Sequence, residues 1–248
     1  MRRRDVGLSI LGLLVAWQLL AWLVRADVLP GPWEVAKALG QELPHGLGRH
    51  FLVSGWRVVA SILLSMLAAV PAGLVLGQSQ RLNRLFSPLV YIIYPIPKIV
   101  FLPLILLFLG IGDRSKVFII FLILFFQILV VVRDQASALR PELIYSVRSL
   151  GAGRRALFRF VYLPATIPAA LTALRISVGT AIAVLFFAES FATTSGLGYY
   201  IIVESWGRLA YPEMYAGVVA MSILGLLLYF VIDRLERRLA PWLFIAQE

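Results

Sequence analysis

The sequence predicts an all-α polytopic membrane protein with six transmembrane helices. Of its 248 residues, 60% are hydrophobic and only 15% are charged, and the mean hydropathy is +0.89. A soluble domain of this length does not hide so much apolar surface in its core, so lipid must solvate most of it. The apolar residues also fall into long runs separated by short basic segments, as in chains that cross a bilayer repeatedly.

Six segments are long and apolar enough to cross about 30 Å of hydrocarbon, for which a helix needs about 20 residues. They are residues 6–24, 58–77, 85–110, 117–132, 167–188 and 215–232. We therefore expect residues 1–248 to form a single transmembrane domain, in which a loop over residues 133–164 joins spans four and five.

Two segments outside the predicted spans lie on the opposite side from that loop. Residues 25–57 are predicted to form a long loop with a short amphipathic helix near residues 33–43. Residues 190–212 read as a polar turn rich in small residues, which leads into the last span.

The arginine and lysine residues predict the orientation. With both termini in the cytoplasm, 14 of them lie in cytoplasmic segments, 7 lie in external segments, and Lys98 and Arg175 fall within spans. Cytoplasmic loops carry the excess of Lys and Arg, so this orientation is favoured. Because these residues punctuate the apolar runs instead of covering a soluble face, the net charge of +10 does not indicate nucleic-acid binding.

Several kinds of chemistry are not expected of this chain. It has no cysteine, which excludes disulfides and thiolate ligands. Its two histidines, His45 and His50, share one predicted loop without an acidic cluster, so they read as solvated residues and not as metal ligands. The sequence also lacks the Gly-x-x-x-x-Gly-Lys-Ser/Thr phosphate loop of an ATPase. We expect it to bind no metal or cofactor of its own.

The loop between spans four and five changes from continuously apolar to amphipathic. Pro141 suits the first position of a helix, and Ile144, Val147 and Leu150 then recur on one side of it. Gly151 stands where a helix C-terminus favours positive φ. A second short helix follows, and both helices carry arginines. These residues alone leave two readings open, namely a helix pair lying on anionic lipid or a docking element for another protein.

This segment resembles the signature loop of ABC importer permeases, the membrane subunits of binding-protein-dependent transporters. The family pattern is Glu-Ala-Ala, three residues, Gly, nine residues, and then Ile-x-Leu-Pro. Gly151, Val161, Leu163 and Pro164 fall in that register, whereas Tyr145-Ser146-Val147 replaces Glu-Ala-Ala and removes the acidic residue. The resemblance implies a type I ABC importer permease architecture of the MetI-like kind, in which this loop couples the permease to its ATPase. The coupling residues would be Tyr145, Ser146, Val147, Leu150, Gly151, Ala152, Phe158, Leu163 and Pro164.

Further runs look like those of permeases for nitrate, taurine, aliphatic sulfonates and related solutes. They are residues 94–98, 102–104, 109–112, 188–189, 195–199 and 235–238. By this resemblance the chain forms half of a translocation pathway in a bacterial inner membrane, together with a second permease copy. A binding protein would deliver a small anion such as a sulfonate, taurine or nitrate. Two ATPase subunits, which use ATP and Mg²⁺, would drive transport.

The candidates for that pathway are Pro95, Pro97, Lys98 and Glu189. Lys98 follows Pro95 and Pro97, and a chain stripped of backbone hydrogen bonds by proline is tolerated in a membrane only against protein or a wet cavity. Lys98 therefore either faces the pathway, where it favours an anion, or pairs structurally or reaches the interface. Glu189 either gates the external mouth or is a solvated helix end.

Two other polar residues read as structural. Arg175 is expected to pair structurally or reach the interface, and Gln127 is expected to form an interhelical hydrogen bond.

Two other functional classes compete with the permease reading. A self-sufficient ion-coupled carrier or channel would show paired membrane acids or repeated halves, and neither pattern is evident. A membrane enzyme would need a cluster of catalytic residues at membrane depth, but both histidines lie outside the predicted spans.

Overall fold

The computed structural model describes residues 3–24 and 26–243, and within them every regular element is helical. Arg2 and Arg25, which enter the charge balance, lie outside the described residues. The helices are α1 Arg3–Val24, α2 Pro32–Glu42, α3 Gly48–Gln78, α4 Gln80–Ile93, α5 Leu102–Leu109, α6 Asp113–Ser137, α7 Pro141–Ser149, α8 Arg154–Leu157, α9 Leu163–Ser190, α10 Leu197–Tyr199 and α11 Tyr211–Leu239. A helix satisfies its own backbone hydrogen bonds, as a chain in lipid must.

Five helical segments are long and apolar enough to cross a membrane. They are Gly7–Val24, Pro32–Gln78, Asp113–Ser137, Arg154–Ser190 and Tyr211–Leu239. A sixth crossing is available if Gln80–Ile93 and Lys98–Leu109, which are bent by 79° at the break between them, cross as one. The predicted span over residues 85–110 is therefore two helices. Pro95 and Pro97 lie in the break, where they lack the N–H that a continuous helix would need.

The helices α3 and α6 begin earlier than the hydropathy pattern indicates. The predicted spans start at residues 58 and 117, whereas these helices start at Gly48 and Asp113. The reason is an ion pair: the buried Arg57 guanidinium lies 2.6 Å from the Asp113 carboxylate. Paired charges are tolerated in membrane helices. In the sequence, however, each charged residue interrupts the hydrophobic run from which the span is predicted. Most of the predicted loop over residues 25–57 is consequently helical.

The helices α3 and α6 pack in parallel, because residues further along α3 contact residues further along α6. Ser61 Oγ donates to Val117 O at 3.1 Å, and Ser65 Oγ donates to Phe121 O at 3.2 Å. Further along, a Cβ added at Gly77 would lie 2.5 Å from the Cβ of Ala136. Small residues allow this close approach, and hydroxyl groups bond across it, as is usual between helices in a membrane.

The chain divides into two compact units. One comprises the described residues of Met1–Gly55 and Glu189–Leu224, and the other those of Trp56–Ala188 and Gly225–Glu248. Glu189 and His50 belong to the first unit. The coupling segment, which we define as residues 141–164, belongs to the second unit, as does Lys98.

Candidate functional site

The coupling segment is built by proline and glycine at fixed points. Pro141 occupies the first turn of α7 after an extended Arg140, and Glu142 complements the positive end of the helix dipole. The chain reverses at Gly151, whose φ of +82° belongs to the region that favours glycine. Two short helical turns, Arg154–Leu157 and Phe158–Tyr162, then lead into α9. The local structure follows the sequence prediction closely.

The apolar residues of the coupling segment divide into two groups. Leu157 and Val161 are buried and hold the segment against its own unit. In contrast, Leu150 is 86% exposed, Tyr145 is 65% exposed and Phe158 is 38% exposed. The exposed group is where another protein can bind.

Val147 is half-buried, unlike the exposed Leu150 and Phe158. With Ser146, Phe160, Pro164 and Trp242, it lines a cavity of about 250 Å³ within the second unit. Its side chain thus belongs more to the inner face of α7 than to the exposed face.

Lys98 has a structural role that the sequence left open. Its Nζ donates to three backbone carbonyl oxygens, those of Ile93 at 3.1 Å, Tyr94 at 2.9 Å and Ile96 at 3.2 Å. It also lies 4.8 Å from the centre of the Phe126 ring. A cation at the C-terminal end of a helix satisfies carbonyls that have no partner within the helix. Lys98 thereby caps α4 where the helix breaks.

A cavity of about 320 Å³ adjoins this cap within the second unit. Lys98, Phe126, Gln127 and Thr180 are among the residues that line it. The predicted interhelical hydrogen bond of Gln127 is wrong: its Oε1 is buried and has no hydrogen-bond partner among the described residues. Gln127 lines the cavity instead.

Glu189 is fully buried at the end of α9. Ser54 Oγ donates to its two carboxylate oxygens at 3.0 and 2.8 Å, and the backbone N–H of Gly198 donates at 3.1 Å. A Cβ added at Gly196 would lie 2.3 Å from the Glu189 carboxyl carbon. The alternative of a solvated helix end is therefore wrong.

His50 is buried as well, which corrects its assignment to a solvated loop. Its Nδ1 accepts a hydrogen bond from the backbone N–H of Gly196 at 3.0 Å, and its Nε2 lies 3.4 Å from Glu204 Oε2. Sequence reasoning missed this network, although a signal was present. His50, Ser54, Arg57, Ser61 and Ser65 recur every three or four residues and form one polar stripe along α3.

Residues 190–212 are more ordered than the predicted polar turn. Most of this stretch is helical: it contains α10, a π-helical segment at Tyr200–Ser205 and a 3-10 helix at Trp206–Arg208. Leu197, Tyr200 and Ile201 are buried in the first unit.

Arg175 forms the structural pair that was expected of it. Its Nη1 lies 2.8 Å from Asp233 and 3.1 Å from Glu236 on α11, and Thr172 Oγ1 donates to Glu236 at 2.5 Å. This cluster ties α9, which follows the coupling segment directly, to α11.

Within the residues that the structure describes, no three His, Asp or Glu side chains are grouped as metal ligands.

Comparisons with known proteins agree with this description. A family model for the binding-protein-dependent transport system inner membrane component matches residues 54–245. The taurine transport system permease protein TauC of Escherichia coli is 33% identical, over 96% of this chain and 90% of that protein. A probable ABC transporter permease protein of Brucella melitensis is 32% identical, over 97% of this chain and 99% of that protein.

The fold has a solved counterpart. A chain in structures of the MetNI methionine ABC transporter in inward-facing conformations superposes with a TM-score of 0.64 at 23% identity, over 78% of this chain and 95% of that chain. The fold is thus that of a type I ABC importer permease, as predicted. Since the family model covers most of the chain, the chain belongs to the family of binding-protein-dependent transport system inner membrane components, as the multi-pass permease subunit of an ABC importer.

Proposed function

We propose that this permease imports a small anion, such as a sulfonate, taurine or nitrate, which a binding protein delivers. Two ATPase subunits drive the cycle with ATP and Mg²⁺, and a second copy of the chain completes the pathway. Both termini face the cytoplasm of a bacterial cell. The observation that carries this proposal is the exposure of Leu150 at 86%, beside Gly151, in the loop whose Gly-to-Leu-Pro spacing matches the family.

The coupling segment supports docking of an ATPase. Exposed Tyr145, Leu150 and Phe158 offer apolar contacts, and they lie on a segment whose buried Leu157 and Val161 hold it to α9. Because Pro164 lies in the first turn of α9, a force applied to the segment passes directly into that helix. Rigid helices transmit such displacements because packed elements do not deform continuously.

The proposed class of solute is inferred from the buried charge of Lys98 and from the solute named for a related permease. Lys98 places a buried positive charge in the second unit, and TauC is named as a permease for taurine, which carries a sulfonate group. The alternative of a self-sufficient ion-coupled carrier does not agree with membership of this family.

One face of α9 supports a second permease copy. Ile176, Gly179, Thr180, Ala183 and Phe187 recur along this helix and are exposed. Small residues in the middle of such a face allow two helices to approach closely in a membrane. Since the chain has no cysteine, a single Ala183→Cys substitution tests the contact: oxidation should give a disulfide-linked dimer, and Leu8→Cys on α1 is the control.

The experiment that tests the proposed function is purification of the tagged chain from its native membrane in mild detergent, followed by mass spectrometry. We expect a P-loop ATPase and a binding protein to copurify with the wild type, and the ATPase to be lost with Gly151→Trp. Gly7→Trp is the control, since Gly7 lies in open space on α1. Recovery of an active chain without an ATPase would contradict the proposal.

A further inference from the structure

The cavity beside the helix break has the features of a binding site. Its volume is about 320 Å³, and its polar lining consists of Lys98, Gln127, Thr180 and Tyr94 among apolar side chains. We propose that this cavity is a transit site for a small monovalent oxyanion, in which Gln127 and Thr180 donate the hydrogen bonds and Lys98 supplies the positive potential. This inference rests on the proposed function and assigns it a place in the molecule.

The charge of Lys98 is capped but not neutralised. Its ammonium group has three N–H donors, and three carbonyl oxygens accept from it at 2.9 to 3.2 Å. No carboxylate pairs with Lys98 anywhere in residues 3–24 and 26–243. The side chain is 8% exposed, and the effective dielectric constant around it is low, so its field reaches the cavity with little screening. Lys98 therefore attracts an anion without being free to donate to it.

Gln127 and Thr180 can donate hydrogen bonds to an anion, which Lys98 does not do because its three N–H donors are already bonded. The Gln127 side-chain amide has no hydrogen-bond partner among the described residues, and it lines the cavity. Its NH2 group, and not its buried Oε1, is the donor available to an oxyanion. The Thr180 hydroxyl reaches the same cavity from α9, the helix that continues the coupling segment. An oxyanion accepts from both groups, which lie on the two helices α6 and α9.

The rest of the lining fits a small organic or inorganic anion and disfavours a cation. Among the residues that the structure describes, no acidic side chain lines the cavity, and Ile123 and Val184 offer apolar contact to a short carbon chain. The volume accommodates a solute of a few heavy atoms, and ligand sites of a few hundred Å³ are common in proteins. Because one donor lies on α9, movement of that helix alters the site, which is what transport through alternating states requires.

The test separates passage of the solute from ATP hydrolysis. The complete transporter is reconstituted in proteoliposomes with saturating binding protein loaded with a radiolabelled alkanesulfonate or isotope-labelled nitrate. Solute taken up per ATP hydrolysed is compared for the wild type, Gln127→Leu and Thr180→Val. Gln135→Leu is the matched control: it makes the same change on the same helix, where the residue is exposed and lines another cavity.

We expect Gln127→Leu to reduce the uptake per ATP about tenfold, the factor for loss of a hydrogen bond to a charged group, while ATP hydrolysis continues. Thr180→Val should act in the same direction, and Gln135→Leu should resemble the wild type. Unchanged uptake per ATP in Gln127→Leu overturns the site and leaves the proposed function intact. A parallel fall of uptake and ATP hydrolysis also overturns it, because that result indicates a structural role. If the wild type hydrolyses ATP but takes up neither probe, the proposed anion class fails, and this site fails with it.

Discussion

The Ser54 hydroxyl donates to both carboxylate oxygens of Glu189, at 3.0 and 2.8 Å, and accepts a hydrogen bond from the backbone N–H of Leu197 at 2.8 Å. One hydroxyl therefore joins α3, the end of α9 and the start of α10 within the first unit. A buried carboxylate that is satisfied in this way fixes its surroundings, since each lost bond would leave a buried polar group without a partner.

Gly196→Ala should destabilise the protein more than a change of backbone conformation alone explains. Gly196 has a φ of +113°, and an added Cβ would lie 2.3 Å from Glu189. Gly110→Ala is the matched control, because Gly110 has a φ of +78° but open space around it. The control should lose about 1–3 kcal/mol, the usual cost of such a conformation, and Gly196→Ala should lose more. Melting temperatures in detergent measure both; equal losses would show that Gly196 and Glu189 are not in close contact.

The hydroxyl of Tyr200 predicts a dependence of stability on alkaline pH. It donates to Glu42 Oε2 at 3.2 Å, and burial, assisted by the Glu42 charge, raises the pKa of Tyr200 above its ordinary value. The folded state then holds this proton more tightly than the unfolded state. The stabilisation is complete below the ordinary tyrosine pKa of about 10 and is lost as the pH rises further.

The measurement is the melting temperature in detergent at about pH 9 to 11, the range around the ordinary tyrosine pKa. The decrease should be smaller in Tyr200→Phe than in the wild type. Tyr145→Phe, at a position that is 65% exposed, should behave as the wild type does. Identical profiles for Tyr200→Phe and the wild type would refute the expectation.

Arg175→Met should destabilise the protein, because it leaves the buried Glu236 without its cation and Asp233 with Arg237 as its remaining cation. Removing one partner of a buried ion pair costs about 3 kcal/mol. Arg238→Met, on the exposed side of α11, should cost little. Thermal unfolding of the purified variants checks the difference. If both variants have the same melting temperature, Arg175 contributes no more to stability than a surface residue does.

The proposed orientation is open to a direct chemical test, because the chain contains no cysteine. Thr194→Cys and Ser149→Cys each place one thiol at an exposed position, between α9 and α10 and at the end of α7, respectively. A maleimide that does not cross membranes should label Thr194→Cys on intact spheroplasts, and should label Ser149→Cys only after lysis. The reverse pattern would invert the orientation.

The fold and the coupling segment were predictable because they depend on local signals. Apolar runs, Pro141 and Gly151 each determine the chain around them without reference to distant residues. The pair of Arg57 and Asp113 was not predictable, since it joins residues 56 positions apart, and each charge alone ends an apolar window. The hydrogen-bond partners of Lys98 are backbone carbonyls, which a sequence pattern does not display, and Glu189 is bonded to Ser54, which is 135 residues away along the chain. Gln127 was assigned a hydrogen bond because membrane glutamines usually form one, and only the structure shows that it lines a cavity instead.

The central claim is that an ATPase drives the permease through the exposed face of residues 141–164, and Leu150→Asp tests it most directly. Leu150 is 86% exposed, so the substitution removes an apolar contact for a partner without disturbing the core of the permease. Leu150→Met, which keeps the apolar contact, is the control. In proteoliposomes containing the assembled transporter, we expect Leu150→Asp to abolish ATP-dependent uptake, and we expect the ATPase not to copurify with this variant. Leu150→Met should retain both uptake and the ATPase. Full ATP-dependent uptake with Leu150→Asp would show that the exposed face of residues 141–164 does not couple the permease to an ATPase.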